Sequence, residues 1–163
     1  MDKKTESELV KKAASNVKDF AVLFTHYYPR INNFVYHRIQ SDSDKDEIVS
    51  NVFFNAMNNL TKFRFFDSIT CGFSSWLYRI AINEISTHYR RKARELKISA
   101  RKHIDMQFDD VPEISNDYEL VKKIMKQFSM EDQNLLALKY FEKLSYKELS
   151  EIFKKSEGAL KVR

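Results

Sequence analysis

The stretch "FSSWLYRIAINEISTHYRR", from Phe73 to Arg91, reads as a single helix whose sides differ in chemistry. At about 100° per residue, the apolar side chains fall on one broad side: Phe73, Trp76, Leu77, Ile80, Ala81 and Ile85. A second side carries polar and basic residues within roughly a quarter turn of one another: Arg79, Asn83, Thr87 and Arg90. The pattern predicts a helix that packs on a core and presents a polar surface elsewhere.

Composition indicates that the rest of the chain is helical as well. The 163 residues include only two glycines and two prolines. A sheet-rich fold usually needs more of these residues for its turns. Thirteen phenylalanines and eight tyrosines supply enough apolar surface for a core. The sequence therefore predicts an all-α protein of one ordinary domain or two small ones.

Helical periodicity upstream of the quoted stretch predicts further helices. The N-terminal segment, as far as about Ile39, has apolar residues at helical spacing, with a break near residues 16–18. Pro29 is expected to kink or restart that helix, because proline removes a backbone donor. Another helix should begin at a capping box formed by Asp44 and Glu47.

The region between that helix and the quoted stretch lacks clean periodicity. Residues 61–72 read as a loop whose aromatic side chains are candidates for stacking on unpaired bases: Phe63, Phe65 and Phe66, with Phe73 just after it.

Two short helices after a longer one end the chain. Ser129 is expected to cap the longer helix, "SYKE" at Ser145–Glu148 fits a capping box, and another helix should start at Ser156. This spacing predicts a helix-turn-helix, with Lys154 and Lys155 of the turn placed to contact phosphates.

Charge is unevenly distributed along the chain, whose formal net charge is +5 and whose pI is about 9.2. Residues 88–102 are strongly basic, whereas residues 105–119 carry only acidic charges. The balance suggests a polyanionic partner. Residues 93–116 read as a linker between an N-terminal helical domain, residues 1–92, and a C-terminal domain, residues 117–163.

Several classes of protein are not expected. The single cysteine, Cys71, cannot form an intramolecular disulfide or a cysteine-rich zinc site. The histidines lack ligand spacing, and neither a nucleophile elbow nor a glycine-rich phosphate loop is present, so we expect no enzyme, no metal and no cofactor. The N-terminus has no signal-peptide core, and no stretch is long and apolar enough to span a bilayer, so a cytoplasmic protein without membrane insertion is expected.

The polar side of the quoted helix has two explanations from the residues alone. It is either the solvated face of an amphipathic helix or a nucleic-acid surface. Arginine neutralises phosphate and reads base edges, and asparagine makes paired hydrogen bonds with bases. The C-terminal unit is likewise either a packed helical hairpin or a reader of the major groove.

Three stretches in this order resemble bacterial sigma factors of the sigma-70 family, in its small two-domain extracytoplasmic-function (ECF) group. "DEIVSNVFFNAM", Asp46–Met57, resembles the helix that binds core RNA polymerase. "WLYRIAINEI", Trp76–Ile85, resembles the W-L-x-x-I-A-x-N signature. "LSYKELSEIFKKSEGALKVR", Leu144–Arg163, resembles the promoter-reading helix-turn-helix.

The resemblance implies an N-terminal helical bundle (sigma domain 2) joined by a flexible linker to a C-terminal helix-turn-helix domain (sigma domain 4). It implies a transcription initiation factor that binds core RNA polymerase and promoter DNA and that is held inactive by an anti-sigma protein. The implied polymerase contacts are Asp46, Glu47, Val49, Ser50 and Asn51. The implied contacts with the melted −10 strand are Arg79, Asn83, Thr87, Arg90 and Arg91. The implied contacts with the duplex −35 element are Ser156, Glu157, Gly158, Ala159, Lys161 and Arg163.

The sequence departs from the family pattern at several positions. Ser50 and Asn51 stand where the family often has Gln and Glu, and Lys154 replaces the usual glycine of the turn. The family's recognition helix continues past the position of Arg163, so either the sequence stops within that helix or the −35 reader is incomplete.

Two other functions remain open on the sequence. A stand-alone helix-turn-helix regulator explains the C-terminal part and predicts tight duplex binding as a dimer without polymerase. An interaction protein with a solvated basic face predicts salt-sensitive DNA binding without sequence preference.

Overall fold

The computed structural model describes residues 3–39, 41–63, 72–101, 124–125 and 127–162. Over these ranges every regular element is a helix and no strand occurs, which confirms the all-α prediction. The elements are α1 (Lys3–Ala13), α2 (Val17–Tyr36), α3 (Asp42–Asn59), a 3₁₀ turn (Leu60–Lys62), α4 (Phe73–Arg101), α5 (Met130–Leu136), a π-helical segment (Ala137–Phe141), α6 (Tyr146–Phe153) and α7 (Glu157–Lys161).

Helices α1 to α4 form an N-terminal bundle. Helix α3 packs against α4 and α2, and α1 packs against α2 and the start of α4. The predicted apolar side of α4 lies in this bundle: Phe73, Leu77, Ala81 and Ile85 are buried, whereas Trp76 and Ile80 are partly buried. The apolar side of the quoted stretch is therefore confirmed as the face that packs on the core.

Helix α1 is tied to the bundle by a buried polar contact. The hydroxyl of Tyr27 on α2 donates a hydrogen bond to the carboxylate of Glu6, and burial is the main reason why the pKa of Tyr27 is raised. Gly72 lies beside the same carboxylate, and a Cβ at Gly72 would come within 3.3 Å of Glu6 Oε2. The small residue before α4 thus lets α1 approach the start of that helix.

The predicted break near residue 16 is confirmed, because Asn16 caps α2 by accepting a hydrogen bond from the backbone of Lys18 at 3.0 Å. The expected restart at Pro29 is wrong, since α2 continues through it. Pro29 lies on the exposed side of the helix, where the carbonyl that loses its partner can bind water.

The predicted capping box at Asp44 is also wrong. Helix α3 begins at Asp42, and its cap is Ser41, whose Oγ accepts from the backbone N–H of Asp44 at 3.4 Å. The carboxylate of Asp44 accepts instead from Nζ of Lys92 at 2.7 Å. A residue already paired with a neighbouring helix is not available to cap its own.

Helix α4 continues beyond the predicted domain boundary at residue 92, as far as Arg101. Residues 93–98 are exposed, and charged side chains of good helix propensity need no tertiary partner to extend a helix that is already nucleated. The remainder of the predicted linker, with the acidic block at 105–119, lies outside the described residues, and so do residues 64–71 of the predicted loop.

The C-terminal half has the predicted caps. Ser129 caps α5, Ser145 and Glu148 form a capping box at α6, and Ser156 caps α7. The turn between α6 and α7 passes through Lys154, which has a φ of 53°. This left-handed conformation favours glycine, and the lysine there bears a steric cost of about 1–2 kcal/mol.

Candidate nucleic-acid interface

The polar side of α4 is open to solvent. Asn83, Thr87 and Arg90 are exposed and Arg79 is partly exposed. Nη2 of Arg90 donates a hydrogen bond to Oγ1 of Thr87 at 3.0 Å, which shows that the two side chains share one side of the helix. Because the opposite side is fixed in the core, these four residues form a surface of defined orientation, hereafter the α4 polar face.

Phe63, the last described residue before residues 64–71, packs against the bundle. The ring of Phe63 lies 5.0 Å from that of Trp76 and 5.7 Å from that of Phe73, between centroids. Phe63 thus supports the first turn of α4, and its predicted role as a stacking group is not favoured by this position. Phe65 and Phe66 lie outside the described residues.

Arg91, predicted with this set, points toward α3. Its guanidinium makes hydrogen bonds of 2.9 and 3.3 Å to the two carboxylate oxygens of Glu47. These bonds lower the pKa of Glu47 and raise that of Arg91. Lys92 makes a parallel contact with Asp44, which lowers the pKa of that carboxyl group. Two charge pairs, Arg91 with Glu47 and Lys92 with Asp44, therefore join α4 to α3.

His88 is buried beside these pairs, with a side chain 5% exposed. Its Nε2 is 3.8 Å from Oδ2 of Asp44, and its Nδ1 has no hydrogen-bond partner among the described residues. Burial lowers the pKa of His88, and the nearby Lys92 and Arg91 act in the same direction, while Asp44 and Glu47 oppose them. The neutral imidazole is thus the form that the fold favours.

Stability should consequently fall as the pH is lowered from 7.5 to 5. A histidine whose pKa is lower when folded binds fewer protons in the native state, so its contribution is lost as the pH drops through the unfolded value near 6.5. Urea unfolding at both pH values would measure this change, with His88→Leu as the comparison. The variant should lose part of the pH dependence, leaving that of His37, whose pKa is also lowered by burial. An unchanged dependence would contradict the assignment to His88.

Helix α3 presents most of the residues predicted to bind polymerase. Asp46, Glu47 and Ser50 are exposed, and Asn51 is partly exposed. Val49 is the exception, because it is only 3% exposed and belongs to the hydrophobic core. The prediction that Val49 makes a direct contact is therefore not supported by its position; it helps to hold α3 in place.

Two apolar residues outside the predicted polymerase contacts also lie on the exposed side of α3. Phe54 is 59% exposed and Met57 39% exposed, and both follow Asp46 and Ser50 at helical spacing. Phe24 of α2 is also exposed, and its ring contacts that of the buried Phe53 at 4.7 Å between centroids. The run "VFF" at 52–54 indicates this exposure, because three consecutive apolar residues in a helix cannot all point to one buried face.

The helix predicted to read duplex DNA is also accessible. Ser156, Glu157, Gly158, Ala159 and Lys161 are exposed, whereas Leu160 is buried and anchors α7. A Cβ at Gly158 would meet no atom of the described part of the chain within 4 Å. Lys155 of the turn pairs with Glu131 at 2.6 Å. Arg163 lies outside the described residues.

No helix among the described residues combines the length and the apolar character needed to cross a membrane.

The sequence is similar to proteins of known family. Residues 23–95 match the family description "Sigma-70 region 2". The chain is 29% identical over 136 residues to RNA polymerase sigma factor YlaC of Bacillus subtilis, covering 80% of this chain and 76% of YlaC. It is 23% identical over 161 residues to ECF RNA polymerase sigma factor BldN of Streptomyces coelicolor, covering 94% of this chain but only 60% of BldN.

The fold is also similar to those of solved structures. CnrH, solved in complex with the cytosolic domain of CnrY, matches 96% of this chain and 88% of its own with a TM-score of 0.69 and 18% identity. Sigma factor RpoE, solved with the anti-sigma factor NepR from Bartonella quintana, matches 89% of each chain with a TM-score of 0.66 and 20% identity. The match to region 2 and the two curated relatives make this chain similar to RNA polymerase sigma factors of the sigma-70 family, and the solved structures show the shared fold.

Proposed function

We propose that this chain is a transcription initiation factor that binds core RNA polymerase, directs it to specific promoters and assists melting of the −10 element. The observation that carries the proposal is the α4 polar face, an exposed row of two arginines, an asparagine and a threonine on a helix anchored in the core. Such side chains bind phosphate and hydrogen-bond to base edges. Because they are at the surface of the bundle, they can contact DNA without a rearrangement of the helices.

The exposed side of α3 is the surface proposed for core polymerase. It combines carboxylates, Asp46 and Glu47, with the apolar Phe54 and Met57. An exposed apolar centre with a polar rim is the usual composition of a specific protein interface. We propose that Phe54 and Met57 form the centre of the contact, with Asp46 and Ser50 at its rim.

The exposed residues of α7, including Lys161, are proposed to read the −35 element as duplex. Arg163, which lies outside the described residues, stays a predicted contact with this element. Because α4 and α7 then serve one promoter, the initiation factor accounts for both halves of the chain. The stand-alone regulator accounts for the C-terminal half only, and the similarity to sigma factors does not favour it. We propose no catalytic role for any residue.

We also propose that the factor acts in the cytoplasm and is restrained by an anti-sigma partner. RpoE, whose fold this chain shares, was solved with an anti-sigma factor. That observation concerns RpoE, and the partner of this chain would be found by capture on the immobilised full chain.

The direct test is transcription from a randomised promoter library by core RNA polymerase with and without this chain, followed by sequencing of the transcripts. A recurrent sequence upstream of the starts, dependent on the chain, is the expected result. Absence of polymerase association in gel filtration, together with no chain-dependent starts, would contradict the proposal.

Replacing residues of the α4 polar face should impair promoter opening. Arg79→Ala and Asn83→Ala should each lower the rate of open-complex formation by about tenfold, the loss expected for one base or phosphate contact. Helix content and polymerase affinity should stay as in the parent, because neither side chain belongs to the core. Permanganate footprinting of the melted strand measures promoter opening. If both variants open the promoter at the parental rate, the α4 polar face is only a solvated surface and does not bind DNA.

A further inference from the structure

Glu84 is an acidic residue in an otherwise basic stretch of α4. The Lys and Arg residues between Phe73 and Arg94 are its only charged company there: Arg79, Arg90, Arg91, Lys92 and Arg94. Glu84 precedes Thr87 by three residues, and residues three apart are neighbours on the surface of a helix. The carboxylate of Glu84 therefore borders the α4 polar face, where its negative charge opposes the binding of phosphate.

The carboxylate of Glu84 is held in place by α3. Nδ2 of Asn55 donates a hydrogen bond to Oε1 of Glu84 at 2.8 Å. The backbone of Asn55 in turn accepts a hydrogen bond from Nδ2 of Asn59 at 2.9 Å. Because an amide is neutral, the contact with Asn55 orients the carboxylate without cancelling its charge. Glu84 thus lies on the α3 side of the α4 polar face.

Glu84 retains unused capacity to accept hydrogen bonds. A carboxylate has about four acceptor positions, and Asn55 fills one of them. Glu84 and Asn55 are both partly exposed, so solvent reaches the contact. The cations at the end of this stretch pair with other groups, Arg91 with Glu47 and Lys92 with Asp44. The remaining positions of Glu84 are therefore open to a donor from outside the chain.

A role in joining α3 to α4 does not account for the charge of Glu84. The two helices pack closely, bury side chains such as Val52 and Ala81, and are also joined by the two charge pairs. A neutral amide at position 84 would accept the same hydrogen bond from Asn55 and would not repel phosphate. The negative charge is therefore the feature from which a ligand is inferred.

A carboxylate selects the base that presents two donors side by side. The Watson–Crick edge of guanine carries N1–H and the N2 amino group, which match the two oxygens of one carboxylate. Cytosine and adenine place one amino group beside a ring nitrogen that a carboxylate repels, and thymine places its single N3–H between two carbonyl oxygens. In a duplex the guanine edge is occupied by cytosine, so only an unpaired guanine presents it to a protein.

We propose that Glu84 is a base-specificity residue, whose carboxylate accepts hydrogen bonds from the Watson–Crick edge of an unpaired guanine. The α4 polar face binds the neighbouring part of the same strand. The inference rests on the proposed function, because it takes the α4 polar face as the surface for the melted strand. Asn55 is a positioning residue, since it orients the carboxylate and does not itself contact the base.

Binding of single-stranded DNA by the full chain tests this specificity without polymerase. The probes are short labelled oligothymidylates whose central base is thymine, guanine or hypoxanthine, and fluorescence anisotropy gives their affinities. The parent should bind the guanine probe about tenfold more tightly than the thymine probe, as expected for a paired contact with one base. Hypoxanthine keeps N1–H but lacks the N2 amino group, so its probe should lose most of this preference.

Three variants separate base recognition from a structural role. Glu84→Gln should reduce the guanine preference to about twofold or less and bind the thymine probe more tightly, because the amide removes one acceptor and the repulsion. Asn55→Ala should lower the preference by about threefold, with the helix content of the parent by circular dichroism. The matched control is Glu95→Gln, which removes an exposed carboxylate from the same helix and should strengthen binding of all probes alike.

A parent that binds the guanine and thymine probes alike, or binds neither, would overturn the inference. The same holds if Glu84→Gln keeps the parental preference or changes all affinities by one factor, as a structural residue would.

The randomised promoter library gives a second measurement. One position of the recurrent sequence should favour guanine with the parent and lose that preference by about fivefold or more with Glu84→Gln, while the other positions stay unchanged. Chain-dependent transcription without this change would overturn the inference alone. Absence of chain-dependent transcription would count against the proposed function, and the oligonucleotide affinities would still decide the specificity of Glu84.

Discussion

Phe73→Ala should lower the free energy of unfolding by about 3–5 kcal/mol, the range for removing a buried aromatic side chain. Phe73 is 1% exposed and lies at the first turn of α4. Its ring contacts those of Tyr27, Phe63 and Trp76 at 5.3 to 5.7 Å between centroids. The cavity would open where α2, the end of the 3₁₀ turn and α4 meet, so no single helix could shift to fill it.

Urea unfolding monitored by far-ultraviolet circular dichroism measures this loss, with Tyr140→Ala as the control. Tyr140 is also aromatic but is 70% exposed, so its truncation should change stability by no more than about 0.5 kcal/mol. Trp76→Ala should fall between the two, because Trp76 is only partly buried. Similar losses for Phe73 and Tyr140 would contradict the assignment of Phe73 to the core.

Phe54→Asp should weaken binding to core RNA polymerase by roughly thirtyfold or more, about 2 kcal/mol, as expected for an aromatic residue at the centre of an interface. The aspartate would place an unpaired charge where the phenyl ring is proposed to be buried against the polymerase. Because Phe54 is exposed in the free chain, the free energy of unfolding should change little. Fluorescence anisotropy of the labelled chain with core enzyme would give the affinity.

The matched control for this variant is Val17→Asp. Val17 is 73% exposed at the first position of α2, where an acidic residue is favourable for the helix. That variant should bind polymerase like the parent, and Phe54→Leu should retain most of the affinity. Parental binding by Phe54→Asp would remove the apolar centre of α3 from the proposed interface.

The parts of the fold that depend on local chemistry could be predicted from the sequence. The spacing of apolar residues predicts the buried side of α4. The motif "SYKE" predicts the capping box that Ser145 and Glu148 form. The error at Asp44 has a different origin. Ser41 and Asp44 are both good caps, and the choice between them depends on Lys92, which is distant in sequence but adjacent in space.

The packing of polar residues could not be predicted in the same way. Arg38 and Glu142 look like ordinary surface residues in the sequence. Arg38 donates to Asn134, 96 positions away along the chain, and Glu142 accepts from Asn33, 109 positions away. Val49 was assigned to a partner surface by its motif, although its burial depends on how α3 is rotated against α2 and α4. An apolar residue in a helix usually faces the core, so the sequence alone does not mark Phe54 as exposed.

The ion pair between Arg91 and Glu47 implies a thermodynamic coupling between ligands of α3 and α4. A phosphate that takes the guanidinium of Arg91 leaves the Glu47 carboxylate without its partner and so changes the charge that α3 presents. Both side chains are 46% exposed, and an exposed pair is weak because water screens its charges. The coupling would thus be small, would act equally on the affinities of both ligands, and would be reduced by salt.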